Sequence, residues 1–260
     1  MVDDDPVLLE VKGGVAVITL NQPDTHNVVG DAADALFFRY LDLLRTDRDV
    51  RVVVWRGNGP SFSSGRDLGE LSDHPGSTDL EVVERNQWQT RLLYDFPVPI
   101  ICALKGWVLG LQLERALLCD LRVAGESARL ALSGVEQGLI PDSAGVAKLY
   151  EIGGAALALD LALTGRPIGA EEARALGLVS QVVPDDELDE LVFDLAERIA
   201  ARPPLVVRLI REHVQALTTP HVRSTLPREL VGQAMVLGSQ DYREHWQARA
   251  EEREPRYEFR

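Results

Sequence analysis

The segment Asp95 to Asp120, DFPVPIICALKGWVLGLQLERALLCD, organises the chain. Val98 to Leu104 is a Pro-flanked apolar run that reads as a buried strand; Lys105-Gly106 is a turn, and a helix opens near Gly110. A strand that feeds directly into a helix leaves the first helical N–H groups without intrahelical partners, aimed at whatever lies beyond the strand end. Such a helix start is suited to an anion or to the oxyanion that develops on a reacting carbonyl. It is also the form of an ordinary connection with nothing bound, and pattern alone favours that reading.

At 260 residues the chain is long enough for a large core, either one domain or one domain with an appendage. A formal charge of −14 argues against nucleic acid and anionic membrane surfaces as partners, so an anionic ligand must be met by local donors. Cys102 and Cys119 lie in apolar runs, and with no CxxC or spaced His pair neither a disulfide framework nor a metal site is expected. The acidic start MVDDDPVLLE is unlike a signal peptide, and apolar runs are too short to span a bilayer, which points to a cytoplasmic protein.

Outward from the central segment, Val7 to Val11 and Val15 to Leu20 read as a hairpin, NQPDTHN (Asn21 to Asn27) as turn chemistry, Asp31 as a helix start, and Val50 to Trp55 as a strand buried on both faces. A Gly/Ser-rich loop, Gly57 to Leu68, follows; Ser72 to Asp79 is polar and breaker-rich, and a helix from about Leu80 to Asp95 leads into the central strand. The alternation predicts an α/β domain with mainly parallel strands. Later come short strands near Ala128 to Leu132 and Val179 to Val183, with helices starting near Ser143, Gly154 and Ala170. Beyond Pro184 the pattern is helical: Glu187 to Ala201, Pro204 to Leu217, Pro227 to Leu237 and Asp241 to about Glu254. The break at Arg202-Pro203-Pro204 suggests a core over residues 1–202 and a helical region, for assembly or as a lid, over 203–260.

No P-loop, GxGxxG, GxSxG or HExxH motif is present, and none of the five histidines has a partner at informative spacing. Two loops after buried strands stand out instead: Ser61-Phe62-Ser63-Ser64-Gly65-Arg66-Asp67-Leu68, and Lys105 to Glu114, KGWVLGLQLE. They resemble the FxxGxDL and N-G-x-x-x-G-G-G-x-E-L motifs of the crotonase (enoyl-CoA hydratase/isomerase) family. The resemblance extends through GLIP (Gly138 to Pro141), LTGRPIGAEEARALGLVSQVV (Leu163 to Val183) and the closing REPRYEF. It implies a crotonase-like α/β fold, a spiral of ββα units with a helical C-terminal extension, assembled as a homotrimer or a dimer of trimers. It also implies an acyl-CoA thioester substrate, with coenzyme A part of the substrate and no separate cofactor.

Carried over by position, the resemblance makes the backbone N–H groups of Arg66 and Leu111 the oxyanion hole, with Ser64, Gly65, Asp67, Gly110 and Gly134 around the substrate. Glu114 matches the first of two hydratase glutamates; Arg115 or Arg122 could instead hold it as a structural ion pair. Four departures from the family pattern matter, one being Arg115 after Glu114, where the family usually has a small or apolar residue. Gly110-Leu111-Gln112 replaces Gly-Gly-Gly, where added side chains would narrow the approach to the thioester or shift the turn. Gly69 replaces a lysine, leaving Arg66 to meet phosphate or to pair with Asp67. Gly134 occupies the place of the second glutamate.

Glu136, two residues on, would face the same side as Gly134 in an extended segment. Asp142 matches the nucleophilic aspartate of the chlorobenzoyl-CoA dehalogenase branch, but an Asp before a helix is also an ordinary N-cap. The reading is therefore an enoyl-CoA hydratase/isomerase-type enzyme that stabilises a thioester enolate. Proton transfer runs through Glu114 with Glu136 or Asp142; a double-bond isomerase, an acyl-CoA hydrolase and a non-catalytic acyl-CoA binder stand as alternatives.

Overall fold

Val52, Val53, Val54 and Trp55 are all buried, which is why this run lacks the polar alternation of a half-exposed strand. Val52 and Val54 join one core with Leu188, Val192 and Ala196; Val53 and Trp55 join the other with Phe37, Phe62 and Leu104. The computed structural model to which these belong describes residues 4–71 and 79–258. Residues 72–78 of the breaker-rich stretch lie outside the described residues.

In chain order the strands are β1 (Val7–Lys12), β2 (Val15–Leu20), β3 (Val52–Gly57), β4 (Ile100–Leu104), β5 (Trp107–Leu109), β6 (Leu121–Gly125), β7 (Arg129–Ala131), β8 (Ile168–Gly169) and β9 (Gln181–Val183). The α-helices are α1 (Asp31–Leu44), α2 (Leu68–Leu71), α3 (Asp79–Tyr94), α4 (Gly110–Leu118), α5 (Gly145–Thr164), α6 (Ala170–Ala175), α7 (Leu188–Ala200), α8 (Pro204–Gly238) and α9 (Gln240–Ala250).

The main sheet runs β1-β2-β3-β4-β6-β9, antiparallel at the β1–β2 hairpin and parallel thereafter; a smaller sheet, β5-β7-β8, lies beyond it. Strands β5 and β6 were not anticipated from sequence: three residues after the Lys105-Gly106 turn are too few to show a period, and Arg122 interrupts the apolar pattern of β6. The helices expected at Ser143 and Gly154 form one segment, α5, with a kink where Gly154 takes φ 74°.

The two helices expected on either side of residue 220 are likewise one, α8, which contains Pro220 and Pro227. Proline lacks the N–H of a helical bond and costs about 3 kcal/mol in a helix interior. Here α8 packs along α3 and α5, and that tertiary burial outweighs the local penalty.

Parallel pairing of β3 with β4, Arg56 opposite Ala103, sets the ends of these strands side by side. The loops that leave them therefore run together: the Phe62 N–H donates to the Lys105 carbonyl (2.7 Å), Ser63 N–H to Trp107 (2.9 Å), and Leu109 N–H to Ser63 (3.1 Å). Asn27, from the NQPDTHN turn, is buried and fastens the first loop by donating to the carbonyls of Asn58 and Ser61. Open α/β sheets place ligands at such carboxyl ends of adjacent strands.

Candidate active site

A cavity of about 230 Å³ opens between these two loops, lined by Ser64, Gly65, Arg66, Leu109, Gly110, Leu111, Glu114, Gly134, Glu136 and Asp142 among others. Of the residues assigned to catalysis, the oxyanion hole or substrate binding from sequence, Asp67 alone stays off the wall. Its Oδ1 accepts from the Gly69 N–H (2.9 Å), a local turn bond. Gly65 (φ 99°) comes so near the Leu109 carbonyl that a Cβ would sit 3.1 Å from its oxygen, so glycine is needed for both conformation and close approach.

Val29 donates to the Gly65 carbonyl and accepts from the Asp67 N–H, the pattern of a parallel bridge. In that pattern the N–H of the intervening residue, Arg66, points away from Val29. The Leu111 N–H belongs to the first turn of α4, whose cap residue Leu109 supplies no side-chain hydrogen bond. Only Gly110 has positive φ in this turn, 51°, so Leu111 and Gln112 enter the helix without strain. Gln112 is buried and does not line the cavity, so the Gly-to-Gln change leaves the opening clear. The Arg66 guanidinium pairs with Asp31 and approaches Asp34 at 3.8 Å, rather than Asp67.

Glu114 stands one turn above Gly110 and so shares its face of α4. Neither Arg115 nor Arg122 holds it. Arg115 is fully buried against Asp34, Gln89 and the Phe38 ring, and Arg122 donates to the carbonyls of Leu178 and Cys119. Glu114 Oε2 instead accepts from the N–H groups of Ser143 (2.9 Å) and Gly145 (3.1 Å) at the start of α5.

Burial pushes the Glu114 carboxyl well above the usual range, helped by the negative charges of Asp142 and Glu229, while the two amides pull less strongly the other way. Glu114 therefore keeps its proton at a pH where an exposed glutamate would have lost it.

Asp142 is not the helix cap. The cap position of α5 is Ala144, held at φ 65°, with no side-chain cap bond. The amides that a cap would satisfy are taken by Glu114 and by Glu229, which accepts from the Ala144 N–H at 2.9 Å. Asp142 is buried on the cavity wall. Burial raises its pKa to about 6 against the pull of Arg115 and Arg66.

Glu136 is placed differently from the expectation of an extended segment. Ser133–Gln137 is a 3-10 turn, in which residues two apart point in different directions. Glu136 is exposed, with its Cγ beside Gly165. At Gly134 a Cβ would meet the Leu139 carbonyl at 3.2 Å, so the place of the second glutamate is closely walled.

Glu229, Gln233 and Asn86 escaped the sequence reading, as did Ser133 and Gln137 on the cavity wall. The first two lie on α8 and the third on α3. The one available signal was in α3, where neutral polar residues replace an apolar face; Asn86, Gln87, Gln89 and Thr90 are all buried.

Burial raises the Glu229 pKa to about 7, so folded protein holds a proton that unfolded chain releases between pH ~4.5 and ~7. Stability from this group is thus present below pH ~4.5 and is lost as pH rises through 7. Glu229→Gln keeps an oxygen for the Ala144 N–H without the charge. Thermal melts should show the variant gaining on wild type by on the order of 2–3 kcal/mol between pH 5 and pH 8. An unchanged difference across that range would show that Glu229 is not the group that titrates.

Comparison with known proteins places these features in a family. Residues 10–260 match the family model described as enoyl-CoA hydratase/isomerase. The chain is 30% identical to the 2,3-dehydroadipyl-CoA hydratase of Escherichia coli K12, over 95% of this chain and 96% of that one. It is 31% identical to the 1,2-epoxyphenylacetyl-CoA isomerase of the same organism, over 96% and 97%. A crystal structure of an enoyl-CoA hydratase/isomerase from Pseudoalteromonas atlantica T6c superposes with a TM-score of 0.89 at 28% identity, covering 97% of this chain and all of that one. The match in fold and the extent of the family model agree: the chain belongs to the enoyl-CoA hydratase/isomerase family, the crotonase-fold enzymes that process acyl-CoA thioesters.

Proposed function

We propose that this enzyme moves a double bond within an enoyl-CoA thioester, with Asp142 carrying the proton and the N–H groups of Arg66 and Leu111 holding the enolate oxygen. The placement of Asp142 carries this reading: it is buried on the cavity wall, free of the capping role, and ionised above pH ~6. Isomerisation needs one carboxylate. It removes the α-proton, the electron pair moves onto the thioester oxygen, and the same carboxyl returns the proton at the γ-carbon. Backbone donors stabilise that oxygen without titrating themselves. A protonated Glu114 puts no second negative charge beside the enolate.

Hydration is the second reading, favoured by two carboxyls, Glu114 and Asp142, that line one cavity and are both pushed up by burial. A proton-holding Glu114 and an ionised Asp142 form an acid–base pair of the kind that adds water. Incubation with 3-hexenoyl-CoA, crotonyl-CoA and hexanoyl-CoA separates the alternatives. Rearrangement of the first with little hydration of the second supports isomerisation, and the reverse replaces it with hydration. Release of free CoA thiol indicates a hydrolase, and binding without turnover a non-catalytic acyl-CoA protein. If hydration is the reaction, Glu114→Ala should lower turnover of crotonyl-CoA at least about a hundredfold, the scale of general acid–base catalysis; if Asp142 alone moves the proton, rearrangement of 3-hexenoyl-CoA should fall far less.

No cofactor beyond the CoA of the substrate enters this scheme. The proposal extends to a cytoplasmic homotrimer or dimer of trimers, with residues 203–260 serving assembly and closure over the core. Leu205, Val206, Leu209, Ile210, Val214 and Leu217 leave an apolar stripe exposed on α8, which supports association. Gln233, further along α8, lines the cavity, which supports the lid role. Among the described residues no helix is long and apolar enough to cross a membrane.

A further inference from the structure

The cavity wall away from the two loops carries polarity that the proton chemistry does not use. Asn86, on α3, is 6% exposed and lines the cavity, and its buried Oδ1 has no hydrogen-bond partner among the described residues. Gln233, on α8, is 4% exposed and lines the same cavity. Its Oε1 accepts from the Ile140 N–H at 3.0 Å, which fixes the orientation of the carboxamide. The Nε2 end is then the free one, and among the described residues nothing accepts from it.

Buried carboxamides are nearly always hydrogen-bonded, because an unmade bond in a dry site is costly. Two incompletely bonded ones on one cavity are a recognition feature when the missing partner comes with the ligand. A hydrocarbon chain would bury both amides unsatisfied.

We propose that the acyl group of the substrate carries a neutral oxygen function, a hydroxyl or carbonyl, recognised by Asn86 and Gln233. This rests on the acyl-CoA reading above and narrows its substrate class. A carboxylate is disfavoured because Asp142 lies on the same cavity wall and the burial that raises the carboxyls of Glu114 and Glu229 penalises a further negative charge beside them. An oxygen that can accept meets Gln233 Nε2, and a hydroxyl can also donate to Asn86 Oδ1.

The test measures equilibrium binding of saturated thioesters, so it does not depend on turnover. Hexanoyl-CoA is compared by calorimetry with its 4-, 5- and 6-hydroxy and 4- and 5-oxo derivatives and with adipoyl-CoA. At least one neutral oxygenated ester should bind about tenfold or more tightly than hexanoyl-CoA. Asn86→Leu, and Gln233→Glu, which keeps an acceptor for the Ile140 N–H while removing the donor, should each reduce that advantage severalfold. A preference for hexanoyl-CoA, equal binding of all esters, or an advantage untouched by both variants overturns the proposal and leaves the acyl-CoA reading standing. Tightest binding of adipoyl-CoA overturns the choice of a neutral group. Failure of every ester to bind overturns the acyl-CoA reading itself, and this proposal with it.

Discussion

Asp142→Asn should lower kcat for 3-hexenoyl-CoA by about 10³-fold with KM within a few-fold, and should erase the ionisation near pH 6 from the pH–rate profile. The size follows from the task. An asparagine fills the same space and can still hydrogen-bond, but it cannot take a proton from carbon, so the loss falls on the chemical step rather than on binding. The sign follows from the state required. The base must be ionised, and burial places its pKa at about 6, so wild-type kcat/KM should rise with pH through that value and level off above it. Glu136→Gln serves as the contrast: exposed, on a 3-10 turn, and beside Gly165, Glu136 should tolerate the change with less than about a threefold effect. A large loss in Glu136→Gln with normal rates in Asp142→Asn would transfer the proton role to Glu136.

Leu111→Pro should lower kcat by about 10²–10³-fold, whereas Leu111→Ala should stay within about tenfold of wild type. Proline deletes one backbone N–H and little else at this position. The first turn of a helix tolerates it because those N–H groups have no intrahelical acceptor. Leu111 is the second residue of α4, after Gly110, whose positive φ shapes the turn. Alanine keeps the N–H and removes most of the side chain, so the pair separates the hydrogen bond from packing. Circular dichroism and thermal melts establish that both variants fold. A folded Leu111→Pro enzyme with wild-type kcat would remove this amide from the oxyanion hole.

Glu114 shows how a local feature and a distant one combine. Its face of α4 was readable from its spacing to Gly110, but the groups that hold it were not. The arginine next in sequence turns to Asp34 on α1, and the amides that fix Glu114 come from the start of α5.

The sequence by itself determined the strand-loop and strand-helix units, the double burial of the β3 run and the two glycine-bearing turns. These depend on contacts within a few residues and on hydrophobic period, which the chain displays directly. Convergence of those turns needed the tertiary pairing of β3 with β4, which sets the strand ends side by side. Tertiary structure alone decided that α8 runs unbroken through two prolines, that Asp142 rather than Glu136 is buried on the cavity, and that Glu229 joins the carboxylate cluster. It also decided that Asn86 and Gln233 face one cavity. Each of those outcomes rests on partners far apart in the chain, as where Glu229, 85 residues from Ala144, takes the amide that a local cap would otherwise have held. Burial, not residue type, then raised the carboxyls of Glu114, Asp142 and Glu229.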